Sequence, residues 1–305
     1  MTSMSEPKLP QDPKWTRAHT LFHVNASGAS DVALIGIPAR EVSISPTSAN
    51  LTPGAIRNAL ARYSTYSSSR GTDLRDITLH DLGDVEQPDH ESGEQKVAHA
   101  VANVLRDHKL LIALGGDNSI TYSVAAGMWS DLSNVGLITL DAHHDLRDGV
   151  SNGSPVWRLI QAGLSGANVV QIGISDFANS REYAARAKDE GIHVITRDEL
   201  RKRPISDVMA EALDIAGGNG REIYVDLDVD VCDRSVAPAC PASVPGGISA
   251  DELREAAFLA GADSRVRAID ITEIDAALDT ADQRTIRLGA LLVLEAASGV
   301  ASRKN

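Results

Sequence analysis

Short apolar runs recur along the chain from Asp31 onward, several ending in Gly or Asp, and between them lie longer stretches with apolar residues at helical spacing. The runs Asp31–Ile37, Ile77–Leu82, Leu110–Leu114, Val135–Leu140, Asn168–Ile174, His193–Ile195, Arg221–Leu227 and Arg265–Ile271 read as strands. The stretches Pro53–Tyr63, Glu94–Arg106, Ser119–Met128, Ser180–Glu190, Ile205–Ile215, Ala250–Leu259 and Thr285–Ala297 read as amphipathic helices. Regular alternation of the two is the pattern of βα units on a parallel sheet. No Pro/Gly/Ser-rich linker interrupts it, so residues 31–305 form one α/β domain, doubly wound or barrel-like. Residues 1–30, rich in Pro, Ser, Asp and Lys, read as a loosely held tail that Trp15 and Phe22 could pin to the body. In either architecture ligands sit beyond the carboxyl ends of the strands.

A chain of 305 residues buries enough apolar surface to fold without disulfide or metal staples. Its 42 acidic and 29 basic side chains give a net charge of −13, which argues against a nucleic-acid partner. The two cysteines, Cys232 and Cys240, form no zinc-ligand spacing and no disulfide framework, as expected in a reducing cytoplasm. The N-terminal stretch has no apolar leader core, and no run approaches the roughly 18 apolar residues of a membrane span. A cytoplasmic protein with neither a nucleic-acid nor a membrane partner is expected.

Three strand ends carry polar residues in unusual density: Gly115-Gly116-Asp117-Asn118-Ser119, Asp141-Ala142-His143-His144-Asp145 and Asp226-Leu227-Asp228-Val229-Asp230. Residues two apart on extended backbone face the same side, so Asp141, His143 and Asp145 point together, as do Asp226, Asp228 and Asp230. So many carboxylates in one small volume would repel one another and resist desolvation. A divalent cation resolves that conflict, and carboxylate oxygens with one imidazole suit Mn²⁺. A single Asp after a strand usually caps the next helix; two clusters, one with a histidine inside, favour the metal.

These motifs resemble the ureohydrolase family, which comprises arginase, agmatinase and formimidoylglutamase and carries Gly-Gly-Asp-His, Asp-Ala-His-x-Asp and Ser-x-Asp-x-Asp in that order. The resemblance spans about Asp31 to Gly299 and includes Pro53-Gly54-Ala55-Ile56-Arg57, Ala237-Pro238 and Pro245-Gly246-Gly247. It implies a three-layer α/β/α sandwich on an eight-stranded parallel sheet and two manganese ions per subunit. By resemblance Asp141, Asp145 and Asp228 hold one ion, while His143 and Asp230, with Asp141 and Asp228 bridging, hold the other. Glu273 matches the glutamate that receives the substrate's amidine or guanidine group, and Asp145 is placed to relay a proton to the leaving nitrogen. Assembly into trimers or hexamers is also implied.

The chain departs from the pattern at two places. Asn118 stands where the family has its first metal-binding histidine, and a carboxamide is a weaker donor, so that position is expected to bind weakly or stay empty. Asn152 stands where arginases and agmatinases place a proton-shuttling histidine, an absence shared with formimidoylglutamases. Arg147 and Arg158 add guanidinium groups suited to the carboxylates of a glutamate. His144, alternating away from His143, is expected to be a pocket wall. The expectation is a manganese-dependent hydrolase of linear amidines, converting N-formimidoyl-L-glutamate to L-glutamate and formamide. The alternatives are a guanidino hydrolase releasing urea, or a metal-poor, inactive binding protein.

Overall fold

A computed structural model describes residues 12–24 and 28–303. Along the chain the strands are β1 (Phe22–Val24), β2 (Ser30–Ile37), β3 (Tyr66–Ser67), β4 (Thr72–Asp73), β5 (Leu79–Asp84), β6 (His108–Gly115), β7 (Val135–Leu140), β8 (Val169–Ile174), β9 (His193–Thr196), β10 (Glu222–Asp228) and β11 (Val266–Thr272). The helices are α1 (Thr52–Leu60), α2 (Gly93–Val101), α3 (Val104–Asp107), α4 (Ile120–Met128), α5 (Pro155–Gln161), α6 (Arg181–Asp189), α7 (Arg197–Leu200), α8 (Ile205–Ala216), α9 (Ala250–Ala262) and α10 (Arg284–Ser302). All the strands except the β3–β4 hairpin join one parallel sheet in the order β1-β5-β2-β6-β11-β10-β7-β8-β9.

The central strands are near-continuous apolar runs because both faces of a parallel sheet are covered there. Alternate residues feed two cores. Leu34, Ile112, Ile172 and Val225 pack with Ile56 of α1, Met209 of α8, Leu253 of α9 and Leu292 of α10. Ile35, Leu111, Leu137 and Tyr224 face the other way, against Val97 of α2, Val124 of α4, Leu159 of α5 and Ala187 of α6. This is the expected three-layer sandwich.

The sheet has nine strands among the described residues rather than eight. The extra one is β1, which pairs in parallel with β5 and is anchored by the buried Phe22. Part of the expected tail is therefore edge strand; the rest of it, residues 1–11 and 25–27, lies outside the described residues. Trp15 remains half exposed. The helix expected over Glu94–Arg106 is broken between α2 and α3. One expectation about length also changes, since α10 is long and apolar enough to cross a membrane. Two thirds of it is buried as a core helix, with Leu288, Leu292 and Val293 packed inside.

Candidate metal centre

The four central strands β6, β11, β10 and β7 are neighbours, and their carboxyl ends bring every motif together. Gly116 leaves β6 so close to a crossing segment that a Cβ there would lie 1.7 Å from the Ala39 carbonyl oxygen. Only glycine fits, and its own carbonyl accepts the Glu273 N–H at 3.0 Å. Asp145 and Glu273 adopt left-handed backbone, with φ of 52° and 64°. For residues with a Cβ this costs about 1–3 kcal/mol each, a strain typical of functional positions.

Asp141, His143 and Asp230 form a compact set in which one ligand atom from each lies within 4.8 Å of the others. His143 Nδ1 is 2.7 Å from Asp230 Oδ2 and 3.4 Å from Asp141 Oδ1. Backbone amides fix the carboxylates: Asp141 Oδ1 accepts from His143 N, Asp230 Oδ1 from Ala142 N and Asp228 Oδ1 from Asp230 N, at 2.6, 3.0 and 2.8 Å. Asp141 Oδ2 is buried and meets no hydrogen-bond partner among the described residues. A buried carboxylate oxygen left bare beside an imidazole and further carboxylates is the environment a divalent cation satisfies.

The electrostatics agree. Burial, then the charges of Asp145, Asp230 and Asp226, hold the Asp141 carboxyl well above its ordinary range. Burial, then Asp230 and Asp141, does the same to Asp228. Asp145 is pushed up to about 7, mainly by burial and also by Asp230, against the lowering effect of His143 and Asn118. Burial would raise Asp230 too, but the His143 imidazole beside it brings it below the usual value. Burial would lower His143, yet Asp230, Asp145 and Asp228 together raise it to about 9.

Glu273 is buried beside this set. Its Oε1 accepts from Asn118 N at 2.7 Å and from Asn152 Nδ2 at 2.9 Å. Burial and the nearby Asp117 raise it to about 8. Asn152 is itself held by Ile44 N, which donates to its Oδ1. Asn118 turns its nitrogen toward the carboxylates: Nδ2 donates to Asp145 Oδ2 at 2.7 Å, while Oδ1 accepts from the Thr121 and Thr272 hydroxyls. A carboxamide nitrogen has no lone pair to offer, so Asn118 as placed is a hydrogen-bond donor to Asp145 rather than a metal donor.

A cavity of about 380 Å³ opens onto His143, Asp145, Asp228, Asp230 and Glu273, with Arg147 on its wall. Arg147 makes no ion pair among the described residues and reaches Asp145 only through its charge. His144 also lines the cavity, as expected of a wall residue, with Nδ1 held by Gln171 at 2.6 Å. Arg158 does not reach it. Its guanidinium pairs with both carboxylate oxygens of Glu94, at 2.6 and 2.9 Å, and stacks 3.7 Å from the Tyr122 ring centroid. Arg158, expected to bind substrate, thus stands outside the cavity lining and links α5, α4 and α2. The sequence pattern assigns no role to Asp226, although its place two residues before Asp228 signals the shared face.

The arginase family model matches residues 30–299 of the chain. The formimidoylglutamase of Bacillus subtilis (strain 168) is 36% identical over 277 residues, covering 88% of this chain and 86% of that one. The solved formimidoylglutamase from B. subtilis superposes with a TM-score of 0.91 at 32% identity, covering 99% of this chain and 97% of that one. A formiminoglutamase of Trypanosoma cruzi, solved with Mn²⁺, superposes with a TM-score of 0.86 at 26% identity over 95% of this chain and all of that one.

Proposed function

The chain belongs to the arginase family, and from that premise we propose that it is a manganese-dependent hydrolase converting N-formimidoyl-L-glutamate to L-glutamate and formamide. The observation that carries the substrate is the pairing, in one cavity, of Glu273 with the unpaired guanidinium of Arg147. Glu273 suits the cationic amidine and Arg147 a carboxylate, so the cavity matches a ligand with both charges. Cationic agmatine has no group for Arg147.

Asp141, His143, Asp145, Asp228 and Asp230 are the residues that would hold manganese, and the bare Asp141 Oδ2 with its oxygen-rich surroundings fits that ion. When bound, manganese supplies Lewis acidity, lowering the pKa of water and stabilising charge that develops on the amidine. Glu273, held by Asn118 N and Asn152 Nδ2, orients the amidine by charge-assisted hydrogen bonds. One water adds across the bond between the formimidoyl carbon and the glutamate nitrogen. As that bond breaks, Asp145 passes a proton to the departing nitrogen, which leaves as the amine of glutamate. Asn118 keeps the Asp145 carboxylate aimed while this occurs.

The family resemblance also supports a cytoplasmic enzyme assembled from three or six copies, which sedimentation would test. The substrate reading is tested by assaying Mn²⁺-loaded enzyme against formimidoylglutamate, agmatine, guanidinobutyrate and arginine. Formimidoylglutamate should give the highest kcat/KM; preference for any of the guanidino compounds overturns the reading.

A further inference from the structure

Asp226 is fully buried beneath the metal centre and stands where the ureohydrolase pattern has a serine. Its Oδ2 lies 3.4 Å from Asn118 Nδ2, the same nitrogen that donates to Asp145 Oδ2 at 2.7 Å. On its other side the parallel register sets Asp226 directly opposite Asp270; burial, then the buried Asp270 carboxyl among its neighbours, raises the Asp226 carboxyl above its ordinary range. Asp270 Oδ2 meanwhile accepts from the Tyr224 hydroxyl at 2.7 Å, and the Thr121 hydroxyl, at the same distance, shares its single proton between Asp270 Oδ2 and Asn118 Oδ1. The remaining oxygens, Asp226 Oδ1 and Asp270 Oδ1, are buried and meet no hydrogen-bond donor among the described residues.

The asparagine that stands for the family's histidine and the aspartate that stands for its serine are therefore in direct contact. An imidazole can ligate by itself, but a carboxamide helps a metal site only if something fixes which end faces inward. Thr121 and Thr272 hold the oxygen end, and Asp226 accepts from the nitrogen end. A serine side chain is shorter and cannot span both Asn118 and Asp270. We propose that Asp226 is a positioning residue of the metal centre: it holds the Asn118 carboxamide nitrogen-inward, so that Asn118 locks the Asp145 carboxylate in place for the first metal.

This rests on the manganese reading, and the test separates the two. Mn²⁺ stoichiometry and affinity are measured by metal analysis and calorimetric titration for wild type, Asp226→Ser, Asp226→Asn, Asn118→His and the double variant Asn118→His/Asp226→Ser. Asp226→Ser should weaken the weaker binding step about tenfold or more, the usual effect of removing an orienting partner, and leave the step held by His143 and Asp230 unchanged. Asp226→Asn should keep both steps, because its oxygen can accept from Asn118 while its nitrogen donates to Asp270. In the Asn118→His background, adding Asp226→Ser should change neither step. Wild-type binding by Asp226→Ser, an Asp226→Asn as weak as Asp226→Ser, or an equal loss in the Asn118→His background overturns the proposal alone. A wild-type protein that binds no Mn²⁺ overturns the manganese reading with it.

Discussion

Asn118 Nδ2 donates to Asp145 Oδ2 at 2.7 Å, so the residue that replaces a metal-binding imidazole grips a carboxylate of the same centre. The substitution removes a donor atom and adds an orienting bond. Asn118→His should accordingly tighten the weaker Mn²⁺ step by about tenfold or more, since imidazole is the better donor for a first-row ion. Calorimetric titration of both proteins checks this; equal affinities would show that the first metal does not depend on this position.

The metal-free centre makes stability fall as pH rises. Asp145 and Glu273 have folded pKa values of about 7 and about 8, above their unfolded values near 4. The folded state therefore binds more protons than the unfolded one across that interval, and by linkage stability declines through it. His143, raised to about 9, acts in the same direction: its contribution is present below its unfolded value and lost as pH climbs through 9. Metal-free protein should melt higher at pH 5 than at pH 8.5. Saturating Mn²⁺ should reverse the order, because its ligands bind deprotonated. Melting scans at both pH values, with and without Mn²⁺, test the sign.

The two arginines should separate cleanly. Arg147→Ala should raise KM for formimidoylglutamate by about 10- to 100-fold, the worth of a charge-assisted pair, with a smaller effect on kcat. Arg158→Ala should leave KM unchanged and destabilise the protein by about 1 kcal/mol, through loss of the Glu94 pair and the Tyr122 stack. Steady-state kinetics and denaturant titration distinguish these outcomes.

Gly116→Ala should destabilise by about 3 kcal/mol or more, because the added methyl meets the Ala39 carbonyl. Since Gly116 O also receives the Glu273 N–H, the folded fraction should lose substrate affinity as well. A variant of wild-type stability would contradict the close approach at this turn.

The sequence pattern locates the eight longer strands of the sheet within a few residues, most plainly the central ones β2, β6, β7, β10 and β11, where cover on both faces keeps the run largely apolar. The edge strand Phe22–Val24 leaves no such signal: it is three residues long, and only Phe22 is buried. Strand order is not written in any local pattern, so the adjacency of β6, β11, β10 and β7 comes only from the fold. Arg158 misleads because it follows the Gly153-Ser154-Pro155 turn closely in sequence. Pro155 begins a helix there, and the first turn of α5 carries Arg158 round to Glu94. The inward nitrogen of Asn118 is out of reach as well, since it depends on Thr121, Thr272 and Asp226 from three separate elements.

The most direct test of the account is product analysis of the wild-type enzyme stripped of metal and then titrated with Mn²⁺, with formimidoylglutamate as substrate. Glutamate and formamide should appear in equal amounts, rising with Mn²⁺ and lost again on chelation. Full turnover without Mn²⁺, or no formamide at any Mn²⁺ loading while agmatine or arginine yields urea, would contradict it.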